Sequence, residues 1–383
     1  MAIKADLKER DGRYKRLRAA MESEGLDALV VAGYGGKGER GYIRYLTDTH
    51  VWEGDPLILF PLDGEPVHVH VTYAAASMPD KLWVDDYRIW PEPQSEIIKA
   101  IKEKKLTRAK IGVAGMRKLV PAGVLEDMKS ALPQAKFVQA DNVMDRVRAV
   151  KSALEIKQLR EHWKMTQRAM ERFIEVVGPG MSQREAAAEP ARIFRAAGVF
   201  DDLTTIHEGN FKGLPRDTPL KCDDAVSFHL ELCGESGHWS EINVVCAFKP
   251  PTKLEQKLLN SERRALDEVR AKAKPGVTLA SLAKTFDGVI LEDGWKFDKP
   301  MWHYYFHGQG MDGIEWPFFT AMPHGSQDTS LEEGMVFSYH PHKDTIPSVP
   351  ATRAPRIFDG FVITKRGAET LAPDWDVMWR IMK

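Results

Sequence analysis

The sequence is short of three things that would narrow its function at once. Cysteine is scarce: there are three in 383 residues (Cys222, Cys233, Cys246), with no C-x-x-C spacing. That argues against a disulfide scaffold or a structural zinc module. Charge of one sign is not in excess, since 54 Lys and Arg stand against 55 Asp and Glu for a net charge of −1. A nucleic-acid binder would carry a basic field or stripe, so that class is disfavoured. Long apolar runs are missing too; none approaches the roughly 18 residues a membrane span needs. The opening stretch, MAIKADLKERDGRYKRLRAAMESEG, is charged throughout and holds no apolar segment that would direct secretion. A cytoplasmic location is expected.

What is present is the composition of an ordinary globular protein, 43% hydrophobic and 28% charged. This length predicts two domains, at about 100–200 residues each. Histidine is unevenly spread: eight of the twelve fall between His207 and His342.

Over residues 1–148 helical and strand patterns alternate. LDALVVAG is a short apolar run ending in glycine, and PLILFPLDGEPVHVHV holds two strands joined by a turn at Leu62-Asp63-Gly64-Glu65. EIIKAIKEKKL and KIGVAG then read as helix and strand. The expectation is an α/β domain with a mixed sheet. Its Tyr34-Gly35-Gly36-Lys37-Gly38 stretch lacks the spacing of a phosphate cradle and reads as a loop. His68 and His70 alternate along VHVHV and are placed on that strand's solvated face.

Residues 149–383 read as a second domain, opened by a long helix in KSALEIKQLREHWKMTQRAMERFIEVV. The domain then repeats itself. Pro179-Gly180-Met181-Ser182 and Pro275-Gly276-Val277-Thr278, 96 residues apart, each precede a helical stretch with Ser182 or Thr278 as N-cap. Ser182 and Glu185 form a capping box. DDAVSFHLELCGESGHWSEINVVCAF is echoed by EEGMVFSYHPHKD with RIFDGFVIT. These pairs predict an internal duplication, with a cleft along a pseudo-twofold axis.

Alternate residues of a strand share a face. His229 and Glu231 therefore lie together in VSFHLEL, Trp239, Glu241 and Asn243 in the partner strand, and Ser338, His340 and His342 in VFSYHPH. If the two hairpins face one another, His229, Glu231, Glu241 and His340 converge. His307, followed by Gly308-Gln309-Gly310, joins them as a fifth group. Buried His and Glu without partners cost about 1–3 kcal/mol each, so these groups are expected to be paired, metal-bound or solvated in a cleft. Each histidine alone fits a hydrogen-bonded core residue equally well; convergence is what favours function. Glu315, Trp316 and Tyr305 are candidate substrate contacts, with Trp302, Tyr304 and Phe306 read as packing. His238, His324 and His342 read as surface or supporting residues, and Cys233 and Cys246 as buried small hydrophobes.

Together these segments resemble the creatinase, prolidase and aminopeptidase P superfamily, whose C-terminal domain has the pita-bread fold. The resemblance spans the N-terminal α/β domain, the KSALEIKQLR linker, both Pro-Gly-x-Ser/Thr helices, HGQGMDGIEWP and LEEGMVF. It implies an α/β domain followed by an α+β pita-bread domain with internal pseudo-twofold duplication. It also implies a homodimer in which one N-terminal domain caps the other copy's cleft, with Tyr34, Arg40 and Trp52 as candidate capping residues. His207 falls where relatives place a substrate-contacting histidine. Metal-dependent members use two aspartates, a histidine and two glutamates. Here His307 keeps the histidine and Glu241 stands at the later aspartate. The first aspartate falls on Leu230 in an ungapped register, or on His229 or Glu231 one residue away. His340-Pro341 replaces a Glu-Pro pair, Phe358 replaces the last glutamate, and Ile314 replaces a second histidine before Glu315.

Three functions remain open on this resemblance. The preferred one is a creatinase-like, metal-free enzyme, not a typical dipeptidase, cleaving a C–N bond of a small polar metabolite. His307 and His340 are its acid–base groups, with Glu241, Glu231 and His229 beside them. The second is a single-metal lyase or hydrolase resembling the dimethylsulfoniopropionate lyases, in whose three acidic positions His229, Glu231 and Glu241 fall. With His307 and His340 these residues suit one divalent transition metal. The third is a non-catalytic binding module. No nucleic-acid or membrane partner is expected.

Overall fold

The structure is a computed structural model and describes residues 6–35, 40–71, 76–77, 82–208, 211–221, 225–296, 304–320, 328–341, 349, 357–371 and 380–381. The chain divides into two units, Met1–Arg148 and Ala149–Lys383. Among the described residues, no helix is long and apolar enough to cross a membrane.

The first unit runs α1 (Leu7–Ser23), β1 (Ala28–Ala32), α2 (Gly41–Thr47), β2 (His50–Val51), β3 (Leu57–Pro61), β4 (Val67–His70), β5 (Ala76–Ser77) and β6 (Asp86–Ile89). It continues with α3 (Pro93–Glu103), β7 (Lys110–Ala114), α4 (Ala122–Ala131), β8 (Lys136–Gln139) and α5 (Asp141–Ala149). Six strands form one sheet in the order β6-β4-β3-β1-β7-β8. β1 pairs antiparallel with β3 and parallel with β7, so the sheet is mixed. Gly64 turns the chain between β3 and β4 at φ 93°, a conformation that favours glycine. Alternation along VHVHV is real, but its environment differs from the solvated face expected. His68 and His70 are buried, and the ring of Tyr87 lies 5.0 Å from that of His68. Burial and the neighbouring His70 push the His68 imidazole down to about 3. β4 is buried along its whole length, so a polar–apolar alternation there does not mark a wet side.

The second unit contains α6 (Ala153–Val176), α7 (Gln183–Ala196), β9 (Asp201–Glu208), β10 (Phe211–Gly213), β11 (Ala225–Cys233), β12 (Trp239–Ala247) and α8 (Lys253–Lys272). After these come α9 (Leu279–Glu292), β13 (Tyr304–Gly308), β14 (Glu315–Thr320), β15 (Val336–Tyr339), β16 (Asp359–Thr364), β17 (Gly367–Thr370) and β18 (Arg380–Ile381). Two five-stranded sheets result, β10-β9-β11-β12-β18 and β14-β13-β15-β16-β17. The expected capping box of α7 is present, and α6 and α8 carry boxes of their own at Ser152/Glu155 and Thr252/Glu255. Removing such a cap costs about 1 kcal/mol.

The duplication extends to single hydrogen bonds. Gly180 N donates to Leu220 O and Leu220 N to Met181 O; likewise Gly276 N donates to Leu331 O and Leu331 N to Val277 O. Gly180 and Gly276 share a left-handed backbone, at φ 80° and 88°.

Packing fixes which strand face meets the cleft. Phe228 stacks on Phe173 of α6 with ring centroids 3.8 Å apart, and Val226, Leu230 and Leu232 join the same core. On β12, Ile242, Val244 and Cys246 do the same. A one-residue slip would exchange the two faces, so this apolar comb holds the register. Leu230, fully buried among these residues, is excluded as a ligand. The polar face therefore belongs to Ser227, His229 and Glu231, with Glu241 and Asn243 opposite.

Candidate active site

In the β11–β12 ladder His229 pairs with Asn243 and Glu231 with Glu241. The other sheet supplies His307 from the end of β13, Ser338 from β15, and His340 immediately after β15. His307 and Ser338 are ladder partners. The two sheets meet at one carboxylate. Glu241 Oε2 lies 3.2 Å from His307 Nε2 and 3.5 Å from His340 Nε2, and it accepts the Ser338 hydroxyl at 2.9 Å. Glu241 Oε1 lies 3.5 Å from His229 Nε2, which is 3.0 Å from Glu231 Oε1. All five expected groups converge, as two triads that share Glu241: Glu241-His307-His340 and His229-Glu231-Glu241, each with donor atoms within 4.8 Å of one another.

Electrostatics follow from this crowding. Burial alone would raise the Glu241 pKa, but His340, the hydrogen bond from His307 and the charge of His229 outweigh it and hold the carboxyl well below its usual range. Burial alone would lower His307; its hydrogen bond to Glu241 and the charge of that carboxylate win, and its pKa is raised. A histidine with a raised folded pKa stabilises fully below its unfolded value near 6.5, and that contribution fades as pH rises through the folded value. Metal-stripped wild-type protein is therefore expected to lose melting temperature relative to His307→Gln as pH rises from about 6.5. Scanning calorimetry at stepped pH checks this, and a constant difference between the two proteins would contradict the pairing.

The donors fit a divalent metal. His307 Nδ1 lies 2.9 Å from the Gly308 carbonyl. An N–H donated there directs Nε2 at Glu241, the second contact that ligating histidines ordinarily make. His229 Nδ1 is buried with no hydrogen-bond partner among the described residues. The Phe358 ring stacks on His340, centroids 4.9 Å apart and 6° from parallel, and lies 5.2 Å from the His229 ring.

Other candidates fall elsewhere. His207 pairs with Ser227 in the β9–β11 ladder, which puts it on the cleft face beyond His229. Tyr305 is buried, its hydroxyl donates to Asp287 at 2.7 Å, and burial and Asp287 push its pKa up. It is a core residue of the β13–α9 contact, which corrects its reading as a substrate contact. Glu315 is corrected likewise: its carboxylate is buried, 2.7 Å from Lys151 Nζ, and accepts the Met311 and Asp312 amides. Trp316 is partly buried against the same core. The glycines after His307 are required by close approaches to β14. A Cβ at Gly308 would sit 2.7 Å from Trp316 O, and one at Gly310 2.6 Å from Glu315 Oε2. His238 is fully buried, 3.6 Å from Glu155, and not a surface residue. In the first unit Arg40 is buried and donates to the Val51 carbonyl, whereas Tyr34 and Trp52 are exposed. Gly36, Lys37, Gly38, Cys222, Trp302, His303, His324, His342 and the side chain of Tyr304 lie outside the described residues. Sequence reasoning missed Lys151 altogether. It grouped Ser338 with His340 by alternation but gave the hydroxyl no role.

Comparison with known proteins adds a second kind of observation. The model for metallopeptidase family M24 matches residues 157–365, more than half of the chain, and that for the creatinase/prolidase N-terminal domain matches residues 13–150. An Xaa-Pro dipeptidase of Pyrococcus horikoshii is 24% identical over 370 residues, covering 94% of this chain and 96% of the relative. The putative dipeptidase YkvY of Bacillus subtilis is 27% identical over 285 residues, covering 73% and 75%. Among solved structures, dipeptidase PepE from Mycobacterium ulcerans superposes with a TM-score of 0.78 at 22% identity, over 98% of this chain and 99% of that one. An X-Pro aminopeptidase from Thermotoga maritima gives 0.78 at 20%, over 96% and 99%. The two-domain pita-bread architecture is shown. The relatives' dipeptidase names overturn the expectation of a non-peptidase acting on a small metabolite, together with its lyase and binding-module alternatives. The statement that the chain is no typical dipeptidase falls with it. The error lay in taking the loss of aspartates as loss of the family's chemistry.

Proposed function

The chain belongs to metallopeptidase family M24, and from that membership we propose that it is a metal-dependent hydrolase of short peptides, with Xaa-Pro dipeptides as its substrate class. One observation carries the reading: four donor residues from both sheets, His229, Glu231, His307 and His340, gather around Glu241 in an M24 domain. A divalent ion held there supplies Lewis-acid activation of a scissile carbonyl and of attacking water. Glu241, His307 and His340 hold the ion. Ser338 fixes the carboxylate oxygen they share, and the Gly308 carbonyl fixes the His307 tautomer. Glu231, whose side chain is 26% exposed against 7% for Glu241, faces the substrate side. It takes the proton of the attacking water and returns one to the leaving nitrogen, while His229 orients its carboxylate. His207 contacts the substrate farther along the cleft face. The reading also keeps the protein in the cytoplasm as a homodimer, with exposed Tyr34 and Trp52 as surface candidates.

Purified protein supplied with divalent metal is expected to release proline from Xaa-Pro dipeptides and to leave dipeptides without proline largely intact. Dialysis against a chelator should lower turnover by at least about a hundredfold, with recovery on adding metal back. No proline release from any Xaa-Pro dipeptide by metal-loaded protein would overturn the proposal.

A further inference from the structure

We infer that the site takes one late transition metal of the zinc class, held by Glu241, His307 and His340, in preference to manganese or magnesium. The inference rests on the metallopeptidase reading above and deepens it. The first argument is donor type. Two imidazoles and one carboxylate make a set used by catalytic zinc, whereas hard cations select sets built from oxygen.

The second argument is which donors are held ready. Both imidazoles of this triad face Glu241 Oε2, at 3.2 Å from His307 and 3.5 Å from His340, and the Ser338 hydroxyl donates to the same oxygen at 2.9 Å. Each donor has a support of its own. Gly308 orients His307, Ser338 orients Glu241, and the parallel Phe358 ring sets the plane of His340. The flanking triad shares Glu241 and its Ser338 support, while His229 and Glu231 contact each other at 3.0 Å. His229 Nδ1 has no hydrogen-bond partner among the described residues, and Glu231 is the most exposed of the five side chains. Phe358 adjoins the flanking triad with a hydrocarbon ring 5.2 Å from His229, so that flank gains no further donor from this position. The supported triad therefore holds an ion, and the flanking pair is left for substrate and proton transfer. Supporting contacts of this kind change metal affinity by about 10–100-fold.

The test counts metal and does not read turnover. Protein stripped with a chelator is dialysed to equilibrium against equal concentrations of zinc and manganese, and bound metal is measured by elemental analysis. One equivalent is expected, with zinc exceeding manganese by at least about tenfold. His307→Ala should lose the metal and His229→Ala should keep one equivalent. His340→Glu should cut the zinc-to-manganese ratio by about tenfold. If that variant does not fold by circular dichroism, Ser338→Ala substitutes for it and should weaken zinc binding by about 10–100-fold. Two equivalents, manganese matching zinc, or His229→Ala losing metal as fully as His307→Ala would each overturn the assignment. One bound zinc without hydrolysis of any dipeptide would sink the peptidase reading and leave the ligands standing. Hydrolysis by protein holding two manganese ions would do the reverse.

Discussion

Glu241→Gln protein is expected to lose at least about a thousandfold in turnover and most of its metal affinity, because one carboxylate organises every other group in the site. Four side chains contact that carboxylate: Ser338, His307, His340 and His229. An amide of the same shape keeps the volume but brings an N–H toward imidazole nitrogens and the Ser338 hydroxyl. It also removes the negative charge that raises His307. Stability should respond in a pH-dependent way. A carboxylate whose folded pKa is depressed stabilises above its unfolded value, about 4.3, and loses that contribution as pH falls through the folded value. Metal-stripped wild type should therefore exceed Glu241→Gln in stability at pH 6, and the gap should close in strong acid. Denaturant titration at several pH values measures it. A gap that does not narrow between pH 6 and pH 2 would contradict the charge pairing proposed for this residue.

Lys151→Met should give the second large effect, this time on the fold. Lys151 and Glu315 form an ion pair of 2.7 Å with side chains only 2% and 4% exposed, joining the entry of α6 to the start of β14. Removing one partner of a buried pair costs about 3–5 kcal/mol, because the remaining charge stays buried and loses its countercharge. Glu315 also ties down the loop after His307 through the Met311 and Asp312 amides, and Gly310 O in that loop accepts the Trp239 amide at 2.7 Å. The pair thus links the His307 loop to the strand that carries Glu241. Lys151→Met with Glu315→Leu removes both charges but leaves the two amides unsatisfied. The double variant should recover part of the loss and remain about 1–3 kcal/mol below wild type. It should stay impaired in turnover even where fully folded. Equal stability of the single variant and wild type would show that the pair is not sealed from water.

The sequence made much of this legible because strand alternation and apolar packing agree. VSFHLEL and HWSEINVV present one apolar comb and one polar comb, and the register that buries Phe228 and Leu230 puts His229 and Glu231 in the cleft. The repeated Pro-Gly turns likewise foretold the duplication, and the structure carries it to the bonds of Gly180 and Gly276. What could not be read were partners distant in sequence. Lys151 meets Glu315 across 164 positions, and no local pattern marks either one as buried. The same holds for Tyr305, whose hydroxyl finds Asp287 on a helix behind the sheet. Alternation also misleads where a strand is buried along its whole length, as at His68 and His70. Function was misread for a different reason. The replacement of carboxylates at His340 and Phe358 was weighed toward a metal-free enzyme, whereas imidazole is itself a metal ligand and the converging geometry is retained.

The central claim is that the Glu241 cluster is a metallopeptidase centre. It is tested most directly by measuring bound metal and proline released from an Xaa-Pro dipeptide in the same samples, reconstituted to graded occupancy. The account predicts release proportional to occupancy, reaching zero in stripped protein. Release that is absent at full occupancy, or unchanged in its absence, would contradict it.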